Sequence, residues 1–179
     1  MNRPLDFSGR RVVVTHGDEG LGRLISEGFL SAGAEVIICG PQAPTRLPAA
    51  NGREASFYAC ELGDTDQLGK VFARIGQDRG PVDTLINNAG ELDLDSNGDA
   101  TEIINNFLVT PLNVSQAAYQ SMTEHKAGGN IIFIAGAVET TLTPAVAAYR
   151  AAAAGIHNLV TSLAVEWAPA VRVNAVTAN

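Results

Sequence analysis

The chain alternates two kinds of pattern. Short, wholly apolar runs read as strands buried on both faces, and stretches with apolar residues every three or four positions read as helices. Arg11–Thr15, with three successive valines, predicts a first strand. From Gly20 to Ala32, Leu21, Leu24, Ile25 and Phe29 share one helical face, and Gly33 supplies the stop. Glu35–Cys39 predicts a second strand. Residues 40–54 hold Pro41, Pro44, Pro48 and Gly52 and read as an irregular loop. Ala55–Cys60 is a third, weaker strand. Asp64 or Thr65 then caps a helix carrying Leu68, Val71, Phe72 and Ile75. Thr84–Ile86 is a fourth strand leading into Asn87-Asn88-Ala89-Gly90. After a polar loop at 91–99 a helical pattern runs to about Lys126, with a kink or local break expected at Pro111. Ile131–Ile134 is a fifth strand, an Ala-rich helix spans about 145–168, and Val171–Val176 is a sixth strand.

Strands alternating with helices predict right-handed βαβ units. The expected fold is α/β: a doubly wound parallel sheet, Rossmann-like, in three α/β/α layers, ending at the sixth strand as an open edge. The 179 residues fit one domain over 1–179. Apolar residues at 46% and charged residues at 17% exclude disorder as the main state. A net charge of −7 argues against a nucleic-acid partner. No apolar run approaches the roughly 18 residues of a membrane span, and Met1–Arg11 has no apolar signal core. Cys39 and Cys60 make no disulfide framework, and reduced, buried thiols in a cytoplasmic setting are expected. His125 and His157 lie in helical segments without a ligand cluster, so no metal site is expected.

The candidate chemistry begins at the turn between the first strand and the first helix, Val14-Thr15-His16-Gly17-Asp18-Glu19-Gly20-Leu21-Gly22. Glycines there let backbone approach a pyrophosphate, and the helix N-terminus offers free N–H groups to its charge. Three further stretches join it: Asn87-Asn88-Ala89-Gly90, Ala147-Ala148-Tyr149, and Arg172-Val173-Asn174-Ala175-Val176. Through these motifs, over nearly all of its length, the chain resembles the short-chain dehydrogenase/reductase family.

The resemblance implies an NAD or NADP cofactor, held by Gly17, Gly20, Leu21, Gly22, Glu61, Leu62, Asn88, Ala89 and Gly90. It also exposes departures. The family turn reads Thr-Gly-x-x-x-Gly-x-Gly, and His16 stands at the first glycine, with Gly17 one residue along to take its place. Glu19 occupies a position where NADP-preferring members often carry Arg. Gly40-Pro41 replaces the cofactor-selecting residue after the second strand, and Arg46 is the nearest base, in a flexible loop. Neither nucleotide is specified.

The family tetrad is Asn, Ser, Tyr and Lys. Alignment gives Tyr149 for the Tyr, with Phe107, Gly136 and Ala153 at the Asn, Ser and Lys positions. A slip of register could bring Asn106 or a hydroxyl of Thr140, Thr141 or Thr143 near the site, but none restores the Lys. Arg150 sits about 100° around the helix from Tyr149. Without a neighbouring Lys, a tyrosine at its reference pKa is only about 0.1% phenolate at pH 7. Alcohol oxidation then loses its base, while carbonyl reduction keeps a neutral proton donor. The expectation is therefore a non-catalytic subunit, forming a homo- or hetero-oligomer through the two long helices and pairing with an active member of the family. The alternatives are an NAD(P)-dependent carbonyl/alcohol oxidoreductase using Tyr149, or a nucleotide-binding sensor. Family members usually continue past the sixth strand with a substrate lid and a seventh strand. Whether this chain is naturally short or part of a longer one stays open, and so does its substrate.

Overall fold

A computed structural model describes residues 5–89, 99–126, 128–136 and 143–178. Six strands form one parallel sheet: β1 (Arg11–Thr15), β2 (Glu35–Gly40), β5 (Ser56–Ala59), β6 (Thr84–Asn88), β7 (Gly129–Gly136) and β8 (Val171–Ala178). Their spatial order is β5-β2-β1-β6-β7-β8, so the chain winds outward from β1 in both directions. The prediction of a doubly wound parallel sheet is met.

Helix α1 (Gly20–Ser31) covers one face of the sheet. Val12, Val14, Val36, Ile38 and Leu30 are packed there, with Phe7 edge-on to Phe29 at 5.0 Å between ring centres. Helices α2 (Thr65–Arg79), α4 (Thr110–Glu124) and α5 (Pro144–Glu166) cover the other face. They bury Leu68, Phe72, Met122, Leu163 and Trp167 against Val13, Leu85 and Phe133. Trp167 stacks on Tyr119 with ring centres 4.4 Å apart, locking α5 to α4. The helix start expected from a side-chain cap at Asp64 holds: Asp64 accepts from Asp66 N–H and Gln67 N–H. Thr143, which the sequence reading did not name as a cap, accepts from Val146 N–H at the start of α5.

Two local features bear on the sequence expectation: the first departs from it, and the second supplies the local break expected at Pro111. The stretch 40–54 contains a short hairpin, β3 (Ala49–Ala50) against β4 (Arg53–Glu54). Its turn is Asn51-Gly52, both with positive φ (50° and 75°), the pairing such hairpins favour. The loop before it is not loose. Arg23 of α1 donates to the carbonyls of Asp18 (3.1 Å), Arg46 (3.1 Å) and Leu47 (3.3 Å), which ties the loop to the glycine turn. The second feature is at Pro111. The helical run there is continuous from α3 (Ala100–Ile104) into α4, but Asn105–Val109 is a π turn, with Thr110 N–H reaching back to the Asn105 carbonyl. Proline lacks an N–H and its ring crowds the carbonyl four residues back, so the widened turn absorbs both faults.

Asn87 fastens this turn to the sheet. It is 3% exposed, and its Nδ2 donates to the Pro111 carbonyl at 2.6 Å and to Ser115 Oγ at 2.9 Å. Asn87→Ala would leave the buried Pro111 carbonyl with Ser115 Oγ as its side-chain donor. It should lower the unfolding free energy by about 1–3 kcal/mol. The check is the urea midpoint at unchanged slope; an unmoved midpoint would mean that the turn stands without the clamp.

Candidate functional site

Between β1 and β6 the strand order reverses direction, and a crevice opens beyond their C-terminal ends, the place where α/β sheets bind ligands. Here it is a cleft of about 470 Å³ lined by His16, Glu19, Pro41, Glu61, Leu62, Gly63, Ala89, Asn106, Phe107 and Thr110. Asn88, next to Asn87, ties the end of β6 to the end of β1 beside it. Thr15 Oγ1 donates to the Asn88 carbonyl (2.7 Å) and accepts from Asn88 N–H (2.9 Å), while Asn88 Nδ2 donates to the His16 carbonyl (3.3 Å). A larger cavity of about 580 Å³ lies at the opposite end of the strands, among Arg10, Asp83, Asn130 and Arg172. Its Arg10 and Asp83 already pair with each other at 2.9 Å, and it is remote from the switch point.

The glycine turn is built around backbone approach. A Cβ on Gly22 would collide with the His16 carbonyl oxygen and crowd Asn88 Nδ2 at 2.7 Å. A Cβ on Gly17 would meet Ile38 Cγ2 at 2.6 Å and Ser26 Oγ at 2.8 Å, and Ser26 Oγ donates to the Gly17 carbonyl. Gly17 is therefore a packing glycine. The left-handed conformation has not moved to it; His16 itself takes φ 46°, and Gly20 takes φ 48°. Glu19 precedes α1 without capping it through its side chain. The first-turn N–H groups of α1 thus lack that cap and suit the phosphates of a dinucleotide. The bare backbone at Gly22 fits the same group.

Of the residues predicted to touch a cofactor, Glu61, Leu62 and Ala89 line the cleft. Gly17, Gly20, Gly22 and Asn88 are not among its lining residues; the three glycines belong to the turn that carries the lining residues His16 and Glu19. Leu21 is 39% exposed on α1 and is not among the lining residues. Gly90 lies outside the described residues. Pro41, Gly63, Asn106 and Thr110 are lining residues that the sequence reading did not assign to the cofactor. The signal for Asn106 was Pro111, next to which the π turn carries both Asn106 and Phe107 to the cleft wall. The two carboxylates Glu19 and Glu61 face no Lys or Arg among the described lining residues. Arg23 is occupied by three carbonyls and by Glu27 at 2.9 Å, and Arg46 contributes its carbonyl to that knot.

Three of the four aligned positions, Phe107, Tyr149 and Ala153, line one small cavity. Tyr149 is buried, and Phe107 meets its ring edge-on, with centres 4.9 Å apart at 78°. Around them Ala89, Ile134, Ala135, Ala153 and Ile156 enclose about 20 Å³. That is room for about one water. Ala89 and Phe107 line both this cavity and the cleft. Gly136 ends β7, and its main chain pairs with Ala178. Thr143 is committed to capping α5, Arg150 is exposed, and Thr140 and Thr141 lie outside the described residues. Among the described residues no group of His, Cys, Asp and Glu could hold a metal, and no helix is long and apolar enough to cross a membrane.

Cys39 and Cys60 lie in the core beneath the cleft. Burial, then the neighbouring Cys60, pushes the Cys39 thiol up to about 12. Burial, then Asp64 and Glu61, also raises Cys60. Both thiols are therefore poor nucleophiles in the folded chain.

Comparison with known proteins agrees with this geometry. A family model described as short chain dehydrogenase matches residues 10–179. The 2-dehydro-3-deoxy-D-gluconate 5-dehydrogenase of Formosa agariphila is 30% identical over 177 residues, covering 91% of this chain. The chain spans 66% of the length of that relative. Among solved structures, the citronellol catabolism dehydrogenase of Pseudomonas aeruginosa superposes with a TM-score of 0.81 at 29% identity, over 99% of this chain and 77% of that one. A metagenomic short-chain oxidoreductase in complex with NADP superposes at 0.78 and 27% identity, over 96% and 82% of the two chains.

The buried thiols give a direct check on the packing under the cleft. Native protein at about pH 8 should resist alkylation by iodoacetamide at both cysteines, because a raised thiol pKa keeps the unreactive neutral form there. Both should react in denaturant. Rapid labelling of Cys39 in the native state, read by mass spectrometry, would contradict its burial.

Proposed function

The chain belongs to the short chain dehydrogenase family, and we propose that it is an NAD(P)-dependent oxidoreductase of a carbonyl/alcohol pair, acting through Tyr149 and working best as a reductase. The observation that carries the reading is the junction of the two cavities. Ala89 and Phe107 form a wall common to the nucleotide cleft and the Tyr149 pocket, so a ligand filling the cleft would end beside the phenol. The dinucleotide would supply hydride when bound. The chain's own part is to seat its phosphates on the open start of α1, to exclude water through Phe107, Ile134 and Ile156, and to place the Tyr149 hydroxyl as proton donor to the carbonyl oxygen.

Ala153 stands one turn after Tyr149, where a lysine would lower the phenol pKa, so proton donation is retained and proton abstraction is weak. That asymmetry favours reduction. The 2-dehydro-3-deoxy-D-gluconate 5-dehydrogenase and the citronellol catabolism dehydrogenase carry names with unlike molecules, so they support the reaction class and not a particular substrate.

A second reading has its own observation. The Phe107–Tyr149 ring contact and Ala153 leave an apolar pocket with space for about one water. This favours a non-catalytic subunit that pairs with an active NAD(P)-dependent relative, as homo- or hetero-oligomer, through α4 and α5.

Steady-state reduction of a panel of ketones and aldoses with NADH or NADPH separates the two. The oxidoreductase reading expects slow turnover, lost by about 10²-fold or more in Tyr149→Phe. It also expects a gain in Ala153→Lys, largest in the oxidative direction. No turnover by the wild-type chain, with Tyr149→Phe indistinguishable from it, would move the conclusion to the subunit reading.

A further inference from the structure

We propose that the cavity at the N-terminal ends of β6, β7 and β8 is a second ligand site, which takes the carboxylate of a small organic acid on Thr84, Asn130 and Arg172. It lies at the opposite end of the strands from the nucleotide cleft and stands independently of it.

The first observation is a polar row where the sheet is otherwise apolar. Register pairs Val12 with Thr84, Thr84 with Asn130 and Asn130 with Arg172 across four adjacent strands. Strands about 4.8 Å apart put the last three residues within about 10 Å of one another. Two residues further along β1, β6 and β7 the same face reads Val14, Ile86 and Ile132. Those three pack with Val12 in the cluster beneath α1. Parallel strands covered on both faces are apolar throughout, so packing of the sheet does not call for three polar side chains side by side.

The second observation is that these side chains are unspent. Among the described residues, Thr84, Asn130 and Arg172 have no side-chain hydrogen-bond or ion-pair partner. Thr84 is only 6% exposed, and all three line the cavity of about 580 Å³. A polar group so enclosed normally has a partner, and lacking one costs free energy. The row offers a hydroxyl, a carboxamide NH2 and a guanidinium. That set is rich in donors, and the planar guanidinium fork matches the two oxygens of a carboxylate.

The third observation is charge. Asp83, also in the lining, is already committed: Oδ1 accepts from Arg10 at 2.9 Å and Oδ2 from the Arg11 N–H at 2.9 Å. Arg172 is thus left as the lining cation without a counter-ion among the described residues. Asp6 is the other free charge. Hydrogen bonds from Ser8 lower its carboxyl below the usual range, so it stays ionised and opposes a second negative charge on a ligand. A singly charged carboxylate suits this balance better than a phosphate dianion. Phe7 and Pro169 offer apolar surface to the rest of the acid. The volume falls within the range of about 300–1,000 Å³ typical of small-molecule sites.

The test is a nitrogen-15 NMR titration of the whole chain with benzoate, phenyl phosphate, benzamide and benzylammonium, at about pH 7, where carboxylates are ionised. Benzoate should give saturable shifts at the Asn130 side-chain amide and the backbone amides of Gly128, Gly129 and Arg172. Benzamide and benzylammonium should bind about tenfold more weakly or not at all, because they forfeit the charge-assisted bonds. Phenyl phosphate should bind more weakly than benzoate. Arg172→Gln should weaken benzoate about tenfold or more, and Arg172→Lys, which keeps the charge without the fork, by less. Arg172 is exposed, so its variants keep the fold. Thr84→Val, of similar shape, should weaken benzoate about threefold. Arg150→Gln, outside the lining, should leave the affinity unchanged. No saturable shifts, equal binding of benzamide, tighter binding of phenyl phosphate, or an unchanged benzoate affinity in Arg172→Gln would overturn the proposal. NADH carries no carboxylate, so each of these results leaves the dinucleotide reading of the cleft in place.

Discussion

Two adjacent asparagines at the end of β6 hold the candidate site in shape. Successive side chains on a strand point to opposite faces, and the chain uses that alternation to grip two elements at once. Asn87 turns toward the helical side and fixes the Pro111 carbonyl and Ser115 of α4. Asn88 engages Thr15 and the His16 carbonyl at the end of β1. The cleft is the space between these two grips. Its opposite walls, the glycine turn and the π turn, are thus referred to one rigid strand whose residues are all buried. Polar groups in so enclosed a setting cost free energy unless paired, and here the pairings are what define the site.

Within that frame the nucleotide end and the reaction end have different characters. The nucleotide end keeps what a phosphate needs from backbone: a bare approach at Gly22 and an open start to α1. The reaction end has become apolar. Phe107 packs edge-on against Tyr149, Ala153 lines the same cavity, and that cavity has room for about one water. This packing is compatible with a slow enzyme and with a subunit, and turnover separates them where packing does not.

Much of the sheet was legible in the sequence because parallel strands buried on both faces need uninterrupted apolar runs, as at Val12–Val14 and Val36–Ile38. Strand ends were less so. β7 extends to Gly129 and β8 to Ala178 because each pairs with the other along its length, a condition set by the neighbour and not by local propensity. The hairpin at 49–54 had its signal in Asn51-Gly52, but the prolines at 41, 44 and 48 dominated the reading of the loop. Gly17 looked like a phosphate glycine and is a packing one, since only the contacts with Ile38 and Ser26 reveal what its missing Cβ avoids. The π turn left a trace in Pro111 alone, because helical periodicity does not register one extra residue. Arg23 gave no trace at all; an arginine on a helix face carries no mark of the three carbonyls it gathers.

The account depends on a dinucleotide occupying the cleft between β1 and β6. A nitrogen-15 NMR titration with NADH reads that most directly. The largest shifts should fall on the amides of Gly20 and Gly22 and the side-chain amides of Asn88 and Asn106. Absence of shifts there, or shifts confined to the cavity of Arg10 and Arg172 at the far end of the strands, would contradict it.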